Sequence, residues 1–236
     1  MGHLSSAETK ERMYFYEKQL AHEFDSKMNM YDTLKRVEVV YNELLCPDNY
    51  KLKGKKLLDA GCGTGWFSKP AVERGADVTS MDLGESLLAE VKKKCTTQCV
   101  VGSIMEMPFE DNTFDFIVSS EVIEHIPDAS LAIHELHRVL KPGGTLVLTT
   151  PNKVWYFAVW LANAFKLRPY QGLENWISQS RLRRLLTKAG FRIERMHGIH
   201  LFPFVTPLVY PVLNFFHRFR YRLGFLMVNT AVRCKK

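Results

Sequence analysis

The chain has 236 residues, 46% hydrophobic and 24% charged, which suits one domain with a full core and no staples. Its five cysteines (Cys46, Cys62, Cys95, Cys99, Cys234) are odd in number and contain no C-x-x-C pair, which argues against a disulfide framework or structural zinc and for a reducing cytoplasm. The net charge of +7 is uneven: from Lys166 onward 14 Lys and Arg face only Glu174 and Glu194. A basic final third suggests an acidic partner. Because its cations are mixed with long apolar stretches, a peripheral contact with an anionic membrane fits better than nucleic acid. The Asn/Asp-Pro-Pro-aromatic signature used on base amines is absent.

The opening Met1-Gly2-His3-Leu4-Ser5-Ser6 fits the loose myristoylation pattern and is read as coincidence, and the polar run from Ser5 to Lys18 is no secretory signal. Apolar residues Tyr14, Phe15, Leu20, Phe24, Leu34, Val37, Val40, Tyr41, Leu44 and Leu45 recur at spacings of three and four, predicting a helical cover within residues 1–50 that ends at Pro47. Over 51–236 short apolar runs alternate with helical patterns: strand 56–60, helix 65–75, strand 77–82, helix 84–94, strands 98–101 and 114–120, helix 129–140 and strand 144–150. "LKPGG" at 140–144 is expected to close its helix, and "FLMVNTAVRC" alternates enough to be a last strand. Such alternation means β-α-β units: an α/β, Rossmann-like sheet with helices on both faces.

Two inserts interrupt the pattern, at about 151–177 and 199–222, after the fifth and sixth strands. The first holds "VWYFAVWLANAF", too short at 12 residues to span a bilayer; the second holds "LFPFVTPLVYPVLNFF", whose three prolines exclude a regular helix. Either the inserts bury each other as core, or they form an apolar substrate lid or lie in a membrane interface beside Arg218, Arg220 and Arg222.

"LLDAGCGTGWF" (57–67) carries Gly61, Gly63 and Gly65 through a turn after the first strand, the default ligand site of an open α/β sheet. The dinucleotide fingerprint G-x-G-x-x-G wants glycine where Trp66 stands, and Asp59 just ahead of the turn disfavours a pyrophosphate. S-adenosylmethionine brings a sulfonium, an ammonium and one carboxylate, so an acid there helps. Asp82 ends the second strand 21 residues after Gly61, where a carboxylate can accept from both ribose hydroxyls.

Taken together, "LLDAGCGTG", "VTSMD", "VVGSIMEMPFEDNTFDFIVSSEVIEHIPD" and "HRVLKPGGTLVLTTPN" resemble the successive motifs of class I S-adenosylmethionine-dependent methyltransferases over roughly residues 30–196. Within that class "SSEVIEHIPD" and "KRVEVVYNELL" are most similar to the ubiquinone-biosynthesis O-methyltransferases. The resemblance implies a seven-stranded sheet. It also implies that Asp59, Gly61, Cys62, Gly63 and Gly65 cradle the methionine part, with Asp82 and Leu83 on the ribose and adenine edge. Arg36 would pair with the cofactor carboxylate, and Ser120 would also bind the cofactor. Where such enzymes place an Asp for the adenine amine, this chain has Ser103, so backbone groups of Ser103 and Ile104 would substitute; Ser103 also reads as a helix N-cap.

Methyl transfer is an in-line displacement that needs alignment in a dry pocket, and a base only when the nucleophile arrives protonated. His125, with Glu124 beside it, is the candidate. If the segment after the fourth strand turns helical, Glu121, Glu124 and His125 share a face. The resemblance then implies a divalent cation such as Mg held by those three; the plain alternative is a solvated helix start with a packed histidine. His197 and His200 read as surface or capping residues that could face substrate, His134 and His137 as a solvated helix face, and Trp66, Trp155, Trp160 and Trp176 as core. Tyr14 and Tyr16 are candidates to close over the site. Apolar inserts at the rim imply a small apolar or lipid-like acceptor, phenolic and quinone-precursor-like, methylated on oxygen. Polar inserts would have favoured a sugar or natural-product acceptor. The remaining alternative is a non-catalytic, membrane-associated protein that binds S-adenosylmethionine.

Overall fold

The computed structural model describes residues 25, 28–46, 52–157, 160, 173–199, 212, 215 and 218–236. Seven strands form one sheet: β1 (Lys56–Ala60), β2 (Asp77–Asp82), β3 (Gln98–Val101), β4 (Phe114–Ser120), β5 (Leu140–Pro151), β6 (Arg192–Ile199) and β7 (Asn229–Lys235). Their spatial order is β3-β2-β1-β4-β5-β7-β6. Every pairing is parallel except those of β7, which runs antiparallel between β5 and β6. The helices among the described residues are α1 (Met30–Glu38), α2 (Ser68–Glu73), α3 (Glu85–Lys94), α4 (Ala129–Val139) and α5 (Gln179–Lys188).

The central strands are apolar on both faces, so successive residues feed two different cores. Leu58, Ile117, Leu146 and Val232 face Ile133 and Leu136 of α4 and Leu182 and Leu186 of α5. Their neighbours Leu57, Val118, Val147 and Ala231 pack on Val39, Val40, Tyr41, Leu44 and Leu45. Those five belong to a π-helical stretch, Val39–Leu45, that continues α1. A π stretch of this length is rare. Here the Tyr41 hydroxyl donates to the Phe67 carbonyl, and the Arg74 guanidinium lies 4.8 Å over the Tyr41 ring, tying the stretch to the far end of the glycine loop.

Local signals set the boundaries. Asp128 caps α4 by accepting from Ser130 N (2.9 Å) and Leu131 N (3.1 Å), and Ser178 caps α5 through Arg181 N (3.3 Å). The ranges expected for the first four strands coincide with β1 to β4. "LKPGG" corrects the reading: rather than only closing α4, it enters β5, with Leu140 paired to Phe114 and the register shifting before Phe116. The helix expected at 65–75 shortens to α2, because Gly61–Gly65 stay in the loop. The last strand starts later than 225, because Gly224–Leu226 form a 3₁₀ turn. The expectations on residues 8–24, Tyr14 and Tyr16 included, and on His200 lie outside the described residues.

Candidate cofactor and active site

Parallel order reverses between β1 and β4, and the loop leaving β1 opens at that point. Gly61 and Gly65 stand at φ +78° and +87°, in the left-handed region. A Cβ on Gly61 would lie 2.5 Å from Val122 Cγ2, so only glycine lets the loop pass the turn after β4. Gly61 N and Cys62 N donate to Met81 O at 2.8 and 3.0 Å, hanging the loop on the end of β2.

Asp82 closes β2. Its Oδ2 accepts from Gly63 N at 2.9 Å and its Oδ1 from Gly84 N at 3.2 Å, so one carboxylate braces both loops that frame the site. Asp59 is 1% exposed and accepts from Ser68 Oγ at 2.6 Å; Ser68 in turn meets Ser80 Oγ at 2.7 Å. Burial pushes the Asp59 carboxyl up to about 7, with the Asp82 charge adding and the Ser68 hydrogen bond opposing. Cys62 is buried, which raises its thiol well above the ordinary value. Leu83 is half-buried beside Asp82. Ser103 caps a tight turn rather than a helix, because Met105 N donates to its hydroxyl (3.2 Å) and Glu106 N to its carbonyl (3.1 Å). Ile104 is buried beneath that turn.

A residue that sequence reading passed over also holds this loop. The Asp25 carboxylate accepts from Thr64 Oγ1 (2.5 Å), Trp66 Nε1 (3.0 Å) and Lys94 Nζ (2.5 Å). Burial works to raise its pKa, and those three hydrogen bonds outweigh burial and lower it.

The turn after β4 differs from the helical face expected there. Ile123–His125 are a single 3₁₀ turn, and Glu121 precedes it at φ +57°, a costly conformation for a non-glycine residue. Thr149 on β5 holds it there: Glu121 N donates to Thr149 O at 3.0 Å, and Thr149 Oγ1 donates to Glu121 Oε1 at 2.9 Å. Since Thr149 spends its one hydroxyl hydrogen on Glu121, Ser120 Oγ donates to Thr149 Oγ1 across 2.8 Å. Arg36, 9% exposed, bonds Asp32 at 2.9 Å and lies 3.9 Å from Glu121 Oε1. Burial opposes its charge, yet Asp32, Glu121 and Glu124 hold its pKa above the usual value.

Glu124 is 1% exposed and accepts from Thr150 Oγ1 at 3.2 Å. Burial first, then the charge of Glu121, pushes its carboxyl well above the ordinary range. His125 Nδ1 lies 2.8 Å from the Leu173 carbonyl, which only accepts, so Nδ1 carries the hydrogen and Nε2 is the basic nitrogen. Glu124 Oε1 lies 3.9 Å from that Nε2.

Glu121, Glu124 and His125 do not fit a shared cation. Among the described residues no three His, Cys, Asp or Glu side chains converge as a metal-binding group. Glu121 is turned by its left-handed backbone onto Thr149 and Arg36, while Glu124 points to Thr150. Other readings are corrected too. His197 is 1% exposed rather than superficial, edge-on to Tyr221 at 5.0 Å, and His137 leaves the solvated face to meet Phe191 at 5.0 Å. Trp160 is 64% exposed, not core.

A family model described as a methyltransferase domain matches residues 58–148. A demethylmenaquinone methyltransferase of Staphylococcus aureus is 30% identical over 199 residues, covering 71% of this chain and 83% of that one. A ubiquinone biosynthesis O-methyltransferase of Pseudomonas aeruginosa is 38% identical over 117 residues, 46% of this chain and 50% of that one. The chain spans 61%, 39% and 50% of the lengths of three curated relatives, the Pseudomonas enzyme being the third. Among solved structures, magnesium protoporphyrin IX methyltransferase of Synechocystis, with bound S-adenosylhomocysteine, shares the fold at TM-score 0.68 and 20% identity, covering 97% of this chain and 99% of that one. By its sheet order, its glycine loop and these relatives, the chain belongs to the class I S-adenosylmethionine-dependent methyltransferases and is similar to their ubiquinone-biosynthesis O-methyltransferase group.

Proposed function

We propose that the chain O-methylates a small apolar or lipid-like acceptor, a phenol of the quinone-precursor type, with S-adenosylmethionine as donor. The observation that carries this reading is the bonding of the first insert's return limb to the histidine turn. Asn175 N donates to Glu124 O at 2.6 Å, and Leu173 O fixes His125. The return limb of the insert and the candidate base are thereby bonded together.

The donor set suits the cofactor. Residues 57–67 contain one acid and no Lys or Arg, a balance that suits a cationic ligand and gives a pyrophosphate no counter-charge. Asp82 would accept from the ribose hydroxyls, the loop backbone would line the methionine part, and Arg36 would face its carboxylate. When bound, the donor supplies an electrophilic methyl carbon. A phenol of pKa about 10 must lose its proton, and Nε2 of His125, 3.9 Å from Glu124 Oε1, takes it. No step is given to a divalent cation, since Glu121, Glu124 and His125 do not assemble for one.

Incubation with labelled donor and a lipid extract, with and without chelator, tests the reading. A labelled apolar phenol ether formed in both arms is expected. Label on a sugar, or none on any product despite donor binding, would refute it. His125→Ala is expected to keep donor affinity while slowing transfer by about 10²–10⁴-fold; unchanged turnover would remove His125 as base. Asp82→Ala is expected to abolish donor binding in calorimetry.

A further inference from the structure

Strand register sets three side chains in a row across the sheet. Asp59 on β1 pairs with Ser80 on β2, and Ser80 pairs with Cys99 on β3, so the three emerge on one face. Ser68, the first residue of α2, and Thr97, just ahead of β3, stand between them. The contacts run unbroken: Asp59 Oδ2 to Ser68 Oγ at 2.6 Å, Ser68 Oγ to Ser80 Oγ at 2.7 Å, Ser80 Oγ to Thr97 Oγ1 at 3.0 Å and Thr97 Oγ1 to Cys99 Sγ at 3.5 Å. Asp59, Ser68 and Ser80 are buried, whereas Thr97 and Cys99 are half-buried. An enclosed carboxyl is thereby linked to a hydroxyl near solvent at the sheet edge.

Each hydroxyl has a single hydrogen, which limits how the chain can be filled. Ser80 is placed to donate to Thr97. If Ser68 gives its hydrogen to Asp59, as it does to a carboxylate, the contact between Ser68 and Ser80 is left with none. A hydrogen on Asp59 removes that defect, because every group then donates one step outward, from Asp59 to Ser68, Ser80, Thr97 and Cys99 in turn. With Asp59 charged the hydrogens must run the other way, Thr97 to Ser80, Ser80 to Ser68 and Ser68 to Asp59. The two complete fillings differ by one proton.

The titratable groups set around Asp59, among the described residues, are Asp82 at the end of β2, Tyr41 in the π-helical stretch, Cys62 in the loop and Cys95 behind α3. Burial keeps Tyr41, Cys62 and Cys95 protonated, and the Asp82 charge opposes a second one, so none of the four answers a charge on Asp59. A sulfonium and an ammonium would answer it, since a nearby opposite charge favours the ionised carboxyl.

We propose that Ser68, Ser80 and Thr97 are positioning residues for donor binding: their chain holds a hydrogen on Asp59 in the free protein and conducts one proton to solvent as the cationic donor enters. This rests on the reading that the glycine loop holds S-adenosylmethionine. In the transfer the Asp59 O–H bond breaks and its hydrogen passes to Ser68; Ser68 passes its own to Ser80, Ser80 to Thr97, and Thr97 releases one to water. Each hydroxyl ends with one hydrogen and Asp59 with a negative charge. The chain is left filled inward, and no side chain has to turn.

Calorimetry of S-adenosylmethionine binding between about pH 5 and 7, where the donor's own α-amino group stays charged, tests the path. Below the Asp59 carboxyl's value of about 7 the affinity should fall about tenfold per pH unit. The heat at about pH 6 should differ between phosphate and imidazole buffers by the release of nearly one proton per donor bound. Asp59→Asn is expected to bind with an affinity that is constant over this range. Thr97→Val removes the outward acceptor of Ser80 and should lower the pH at which affinity begins to fall by about one pH unit, the worth of one hydrogen bond. Thr97→Ser should restore the parent's profile, whereas a hydroxyl that only supports the fold would move the melting temperature and leave the profile in place. A constant parent affinity with equal heats in the two buffers, a pH dependence that survives Asp59→Asn, or a Thr97→Val profile identical to the parent's would each overturn the path. Absence of donor binding at every pH would remove the donor site itself, and the path with it, so the two failures are distinct.

Discussion

Gly61 has no room for a methyl group, and two residues away an acid is stored where water cannot reach it. Gly61→Ala meets Val122 at 2.5 Å and must also hold φ +78°, so it should cost about 1–3 kcal/mol of stability and lose donor affinity. Adding Val122→Ala is expected to restore part of the stability but not all, because the backbone strain stays; denaturant unfolding reads both. Asp59 carries a folded pKa of about 7 against an ordinary 3.8. The sign follows from proton linkage: the unfolded chain releases this proton near pH 4 while the folded chain keeps it, so Asp59's contribution is fully present below pH 4 and is lost as pH rises through 7. Asp59→Asn keeps an acceptor for Ser68 and has no charge to bury. It is expected to be more stable than the parent at pH 8, on the order of 2–4 kcal/mol, with the gap closing toward pH 4. A constant gap across that range would refute the assignment.

At the level of elements, the first four strands were legible because a strand buried on both faces must read as a short apolar run, as "LLDA" and "FDFIVSS" do. The turn after β4 was not. Glu121, Glu124 and His125 have helical spacing, yet the backbone of Glu121 is set by Thr149, 28 positions along the chain. The same holds for His125, whose tautomer is fixed by the Leu173 carbonyl, an atom every residue type supplies. The pair "TT" at the end of β5 was the one available hint, since two hydroxyls closing an apolar strand ask for partners; they find Glu121 and Glu124. Asp25 lay too far from the glycines to be connected with them by spacing. Asp25→Ala deprives Thr64 and Trp66 of their acceptor and is expected to weaken donor binding about 3–10-fold, as loss of one or two hydrogen bonds would. Calorimetry reads this directly, and an unchanged affinity would show that the loop stands without the clamp.

Across the whole molecule, alternation placed β1 to β5 and the last strand, whereas β6 (Arg192–Ile199) received no range and the count of seven came from the resemblance. The relation between the inserts was not readable. Each is apolar, and apolarity alone does not separate a core segment from an exposed one; only the measured exposure of Phe157, Trp160 and Phe225 does. The candidate base shares that logic, its ring being bonded to the return limb of a distant insert.

β7 occupies the gap between β5 and β6 although it is made after both. From Ile199 to Asn229 about thirty residues must leave the ribosome while β5 offers a bare edge and β6 has no neighbour to bond. A nascent chain in that interval carries two open strand margins and an aromatic-rich stretch at once. Biogenesis therefore has its point of greatest exposure to misassembly late in translation, and a helper or a surface that shields the emerging stretch would act there.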